Sequence, residues 1–205
     1  MTNKTSSLTA GQRGRPREFD IDAALDGAIA VFTQKGFHGV SVSDLAAAMK
    51  VSAGSLYKAF PDKQAIFMAA LNRYIALRQQ EMAQKTTGFA TGYDEIAAIL
   101  QVYAELASGK VGQLGCLVVA SNVELASNDE NIARRIEGQL SSYEKRFADL
   151  IIKGQNDGSV RKDIAPASTA TMLLCLIQGM RVVGKGGYSL AAMQQMISQA
   201  LKMLV

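Results

Sequence analysis

One histidine, two cysteines, three prolines and no tryptophan occur among the 205 residues, and each scarcity removes a class of function. His38 alone excludes histidine-based metal cages and paired-histidine di-iron bundles, which need at least two imidazoles. It also leaves a Ser-His-Asp hydrolase little to work with. Cys116 and Cys175 lack paired spacing, and a chain of this length needs no disulfide staples, so a reducing cytoplasm is the expected compartment. No apolar run approaches the ~20 residues that span a bilayer, and the polar start holds no hydrophobic stretch of signal-peptide type, so an intracellular protein without a membrane partner is expected. Strand alternation, internal repeats and a nucleotide-binding glycine motif are also missing; Gly184 to Gly187 follows a helix, where a phosphate loop should follow a strand. No metal, cofactor or catalytic residue is expected.

What remains is 48% hydrophobic and 20% charged, enough for one large or two small domains. The net charge of +4 is concentrated at one end. Lys4, Arg13, Arg15 and Arg17 precede any acid, and removing those four from the 22 Lys and Arg leaves 18 against 18 acids. A neutral body with a basic leader points to a localised anionic partner.

From Asp20 onward apolar residues recur at helical spacing. Ile21, Leu25, Ala28, Ile29 and Phe32 form a stripe, with Asp20 placed to cap and Gly36 to stop, predicting a helix over 21–35. Ser41-Val42-Ser43-Asp44 reads as a capping box before Leu45 to Met49, and Ser52 can cap a second short helix through Ala59. After Pro61-Asp62 a long helix should run from Lys63 to about Ala83. Further helices are predicted from Asp94 to Ser108, ended by the glycine-rich Gly109 to Gly115, and from Cys116 to about Leu125. Another runs from an Asn128 cap through Ile132, Ile136, Leu140, Tyr143, Phe147 and Leu150, closed by Gly154 and the turn Asn156-Asp157-Gly158. The last two begin at Pro166 and Leu190. The expected class is all-α, about nine helices.

Two short helices with a tight turn, following a packing helix, form the geometry that sets the second helix into a major groove. That second helix is a poor core helix, because only Leu56 and Ala59 are natural inward residues. Small residues at its start allow the backbone to approach bases, while Ser52, Ser55, Tyr57 and Lys58 offer donors. The leader, with Arg13, Arg15 and Arg17 broken by Gly14 and Pro16, can follow phosphates or enter a minor groove; a solvated tail is the alternative.

The run Val51-Ser52-Ala53-Gly54-Ser55-Leu56-Tyr57-Lys58-Ala59-Phe60-Pro61-Asp62-Lys63 resembles the V-S-x-G-x-L-Y-x-H-F-x-x-K signature of tetracycline-repressor-like (TetR/AcrR) transcriptional regulators. Val42 to Ala46 and Ala30 to Phe37 also fit, so the likeness covers about a quarter of the chain. It implies a homodimer that binds a palindromic operator on double-stranded DNA and is released by a small-molecule inducer. It further implies phosphate grips at Ser41, Tyr57 and Lys63, and base-facing positions at Ala53, Gly54 and Ser55. Two positions depart from the pattern. Lys50 replaces the usual turn glycine, so it must tolerate or avoid a positive φ, and its ammonium can reach the DNA backbone. Ala59 replaces the common histidine, deleting a phosphate contact that Lys58 can supply.

The helices that line the pocket in that family carry Tyr103, Asn122, Tyr143, Gln178 and Arg181 here, each a ligand candidate beside an ordinary packing or interface role. Cys116 lies near a helix start that can lower a thiol pKa, so both a sensor thiol and a small buried hydrophobe stay open. Cys175, among Leu173, Leu174, Leu176 and Ile177, is expected to pack, and therefore to alkylate more slowly than Cys116. The segments Thr171–Met180 and Leu190–Leu204 carry surplus apolar surface that a four-helix dimer interface would bury, so polar substitution at Ile177 or Met196 should give monomers.

The expected organisation is a basic arm over residues 1–17, a helix-turn-helix domain over 18–63, and a ligand-binding and dimerisation domain over 64–205. The expected function is a ligand-responsive dimeric repressor. The rival is an all-α small-molecule-binding protein or enzyme without specific DNA binding.

Overall fold

The computed structural model describes residues 20–205. Within them the chain forms ten helices and no strand: α1 (Ile21–Lys35), α2 (Val42–Ala48), α3 (Ala53–Ala59), α4 (Lys63–Thr86), α5 (Gly92–Leu106), α6 (Gly109–Leu114), α7 (Leu117–Glu124), α8 (Glu130–Asp157), α9 (Pro166–Gly184) and α10 (Leu190–Leu201).

Local signals set the first elements. Asp20 Oδ1 accepts from the N–H groups of Asp22 (3.0 Å) and Ala23 (3.2 Å) to start α1. Ala24, Leu25, Ala28 and Phe32 then face inward at three- and four-residue steps. Gly36, at φ 73°, ends the helix in a region that costs other L residues about 1–2 kcal/mol. The capping box of α2 is complete: Asp44 N–H donates to Ser41 Oγ at 3.1 Å and Ser41 N–H to Asp44 Oδ2 at 2.9 Å. Ser52 repeats the device on α3, accepting from Ser55 N–H at 3.1 Å. Such caps, worth ~1 kcal/mol each, help seven-residue helices to stand.

Two cores result. The first gathers α1 to α4 with Leu117, Val118 and Leu125 from the α7 region and Ile132 and Ile136 from early α8. Within it Phe32 and Phe67 meet edge to face at 4.9 Å between ring centres. On the same seam Arg73 forks onto Asp26 (2.7 and 3.0 Å) and reaches Asp22 (3.0 Å). The second core gathers α5, the remainder of α8, α9 and α10 around Ile96, Leu100, Phe147, Ile151, Leu173 and Ile177. α4, with 24 residues and so about 36 Å long, feeds both: Ile66 to Ile75 enter the first core, Met82 the second. A tilt of α4 therefore moves one core relative to the other.

Several expectations are corrected. The glycine-rich stretch after α5 is helical, as α6, because Gly112 lets the backbone press against its surroundings; a Cβ there would stand 2.4 Å from Ala107 O and 3.2 Å from Gly184 O. α5 starts at a Thr91 cap, before Asp94. The cap of α8 is Asp129, not Asn128, with Oδ1 accepting from Asn131 (2.9 Å) and Ile132 (3.0 Å). Gly154 does not stop α8; it is buried within the helix, and Gly158 at φ 82° provides the stop. α9 is also long and apolar enough to cross a membrane by length and composition, and it packs along α8. Cys175 is exposed rather than packed, because the inward stripe of α9 is Ala170, Leu173, Ile177 and Met180. Ile177 is fully buried in its own chain's core, so it lies on the wrong side of α9 to test association; Met196 is half-buried.

Candidate DNA-reading head and ligand cavity

α3 stands on α2 across a turn whose pivot is Lys50, the one non-glycine residue at positive φ (57°) among those described. The turn closes through Lys50 N–H to Ala47 O (3.2 Å) and Val51 N–H to Ala46 O (3.0 Å). Lys50 thus tolerates the strained conformation and keeps its side chain in solvent. Of the residues in α3 only Leu56 is buried. Ser52, Ala53, Gly54, Tyr57, Lys58 and Ala59 are exposed, and Ser55 is half-buried with its hydroxyl 2.9 Å from Ser52 Oγ. Neither Lys50 nor Lys58 forms an ion pair among the described residues.

Two of the phosphate grips implied by the resemblance are already engaged. Ser41 is exposed, with its hydroxyl 2.6 Å from Asp44 Oδ2 and 2.8 Å from Ser43 Oγ. Lys63 donates to the carbonyls of Phe37 and Val40, each at 2.9 Å, and lies 4.3 Å over the Phe37 ring. Its ammonium ties down the α1–α2 connection. Lys35, 2.7 Å from Asp44, and the Ser41 bonds hold that carboxyl well below the usual carboxylate range, and the ammonium offsets its charge. Arg13, Arg15 and Arg17 lie outside the described residues.

Behind the head, a cavity of about 220 Å³ opens between α4, α5, α7, α8 and α9. Five of the six expected ligand residues line it: Tyr103, Cys116, Tyr143, Gln178 and Arg181. Asn122 does not. It is exposed on α7, one residue and hence about 100° past the inward Ser121. Cys116 occupies the N-cap position of α7 without capping it, half-buried, and receives the Tyr74 hydroxyl at 3.6 Å from its Sγ. Burial raises the phenols of Tyr103 and Tyr143, and raises Tyr74 to about 12. All three are therefore neutral hydroxyls near pH 7.

Sequence reading missed Gln139 and Glu124. Gln139 is 1% exposed on the inward stripe of α8, a polar residue among Ile132, Ile136 and Tyr143, which is itself a signal. Glu124 ends α7, where the helix dipole disfavours an acid. That mismatch is resolved by the backbone of Phe37 and His38, whose N–H groups donate to it at 3.0 and 2.9 Å.

An outward-facing helix-turn-helix joined by one long helix to a body with its own cavity is the architecture of a DNA-binding regulator. The family descriptions that match are "Bacterial regulatory proteins, tetR family" over residues 24–70 and "Tetracyclin repressor-like, C-terminal domain" over 92–199. The second alone spans more than half of the chain, and the chain belongs to the TetR family of transcriptional regulators, not to an enzyme family. It is similar to the HTH-type transcriptional repressor ComR of Escherichia coli (strain K12), 28% identical over 99% of this chain and 97% of that one. It is also similar to the repressor DhaR of Mycobacterium sp. (strain GP1), 29% identical over 73% of this chain and 74% of that one. A solved structure of the TetR family regulator CifR, complexed with 26-bp double-strand operator DNA, superposes with a TM-score of 0.82 at 25% identity, covering 94% of this chain and 100% of that one.

Proposed function

We propose that the chain acts in the cytoplasm as a homodimeric repressor whose two α3 helices read the half-sites of a palindromic operator until a small molecule enters the cavity. Residues 1–17 serve as a basic arm, 18–63 as the reading head, and 64–205 as the sensing and dimerising body.

The observation that carries this reading is Gly54. Gly54 stands in the first turn of α3, where glycine is less favourable than alanine by at most the roughly 0.5–1 kcal/mol of a helix interior, and among the described residues no neighbour asks for its small size. A Cβ at that position would meet no heavy atom nearer than Ser52 Oγ at 4.0 Å. A base edge or phosphate approaching the α3 backbone supplies the reason. Lys50, Lys58, Tyr57 and Ser52 surround that approach as donors for phosphates, and Ser55 lies beside it.

Dimerisation is supported by α9, where Cys175, Gly179 and Val182 follow one another along an exposed face. Ligand response follows two routes out of the cavity. One is α4, which contributes Tyr74, Arg78 and Met82 to the cavity. The other starts at Arg181, whose Nη2 holds Gly115 O at 2.6 Å, passes along α7, and ends in the Glu124 clamp on the head. A ligand that prefers the arrangement with misplaced heads lowers operator affinity by no more than its own differential affinity for the two states.

Selection of bound fragments from sheared genomic DNA, followed by footprinting, tests the reading. One palindromic site protected in two half-sites, and released by a small molecule, is expected; diffuse protection of any duplex would refute it.

A further inference from the structure

The cavity contains two buried polar atoms that find no partner among the described residues, Nη1 of Arg181 and Nε2 of Gln139. Their residues are only 4% and 1% exposed, and both line the cavity. Both atoms are donors. Arg181 spends Nη2 on Gly115 O at 2.6 Å, and Gln139 spends its Oε1 on the Gln79 amide at 3.0 Å.

The charges around them do not balance. Among the described residues Glu81 is the one acid in the lining, and Arg78 (2.6 Å) and Lys85 (3.2 Å) hold it. The lining cation Arg146 has Glu95 at 3.3 Å. Among the described residues no carboxylate reaches Arg181 within ion-pair distance. A guanidinium keeps its charge when buried, and a buried charge without a counter-charge is costly. The neutral phenols of Tyr74, Tyr103 and Tyr143 cannot supply one.

We infer that the cavity receives a small monocarboxylate with an apolar body, its carboxylate against Arg181 Nη1, with the Gln139 amide as a further donor. Ile75, Met82, Val102, Leu106 and Val118 give the body its apolar wall. With Nη2 already on the Gly115 carbonyl, Arg181 offers one free nitrogen and one positive charge, which a single carboxylate balances. The volume of about 220 Å³ falls below the roughly 300–1,000 Å³ typical of drug-sized ligands, which limits the body to about one ring or a short chain. This inference rests on the proposed role of the cavity as the inducer site.

Calorimetry on the full-length protein with phenylacetate against phenylacetamide, and hexanoate against hexanamide, tests it. Each acid is expected to bind about tenfold or more tighter than its isosteric amide. Arg181→Gln should erase that preference, so that acid and amide bind alike, and Arg181→Lys should retain part of it. Equal binding of acid and amide to the wild type, or a preference that survives Arg181→Gln, overturns the inference. The wild-type comparison decides alone if the variant does not fold. Amides that bind and are lost on filling the cavity by Val118→Trp, without any preference for acids, leave the sensing role intact and remove only the anion. Failure of all four probes to bind at millimolar concentration overturns the monocarboxylate, and operator release by a small molecule of another class would then still support the sensing role.

Discussion

Glu124 and Phe37, 87 residues apart in the chain, are joined by a 3.0 Å hydrogen bond from the Phe37 backbone N–H to Glu124 Oε2. With the parallel bond from His38, it ties the end of α7 to the loop between α1 and α2. The same loop is gripped from its carbonyl side by Lys63. Gly36 completes the joint, since a Cβ there would stand 2.8 Å from Glu124 Oε2.

Glu124→Ala leaves those two N–H groups without their acceptor and is expected to cost about 1–2 kcal/mol in urea unfolding. Gly36→Ala should destabilise through both the clash and its positive φ. The double variant should cost less than the two single losses together, because both act on one contact; strict additivity would show that the joint does not exist in solution.

Gly54→Ala separates stability from function. It is expected to raise unfolding stability slightly, by no more than about 1 kcal/mol, and to weaken operator binding, because the added methyl would stand between the α3 backbone and the DNA. Urea titration and fluorescence anisotropy on the same samples check this; unchanged operator affinity would count against α3 as the reader.

Lys50→Ala and Lys58→Ala should each reduce the slope of log affinity against log salt by about one, with little change in stability. Lys63→Ala should differ from both, since its ammonium holds the Phe37 and Val40 carbonyls. It should lower stability as well as operator affinity. Ser55→Ala should alter base preference and leave the salt slope alone.

Gly179→Arg should yield monomers by sedimentation, since the position is exposed and a Cβ there meets no neighbour within the chain. Cys175 should be protected from alkylation in the dimer and react quickly in that variant. Equal reactivity in both would place the interface elsewhere.

The Arg73 guanidinium beside Asp26 holds its carboxyl below the ordinary value of 3.8. A depressed carboxyl stabilises the fold fully above its unfolded pKa and loses that contribution as pH falls through the folded one. The difference in melting temperature between wild type and Asp26→Asn should therefore be largest near neutrality and shrink below about pH 4. A difference that grows on acidification would reverse the sign of this contact.

The parts legible in the sequence are those fixed by local bonds. Asp20 and Gly36 bound α1, and Ser41 with Asp44 announces α2, because the cap and the helix lie within one turn of each other. Less legible is whatever depends on a distant neighbour. Gly112 reads as a loop until Gly184 packs against α6, and Gly154 reads as a stop until α8 is seen to continue through it. Cys175 and Asn122 show that apolar composition reveals a helix but not its rotation, since one residue turns a side chain by about 100°. Lys63 looks like a free phosphate grip because its partners are backbone carbonyls, which no side-chain pattern advertises.

The central claim is that α3 lies against duplex DNA. Fluorescence anisotropy of the full-length protein on the footprinted site, without effector, measures this directly. The expected dissociation constant lies in the range of about 10⁻⁸ to 10⁻¹¹ M near physiological salt and rises steeply with added salt. Absence of binding to any double-stranded fragment in dilute buffer would contradict it.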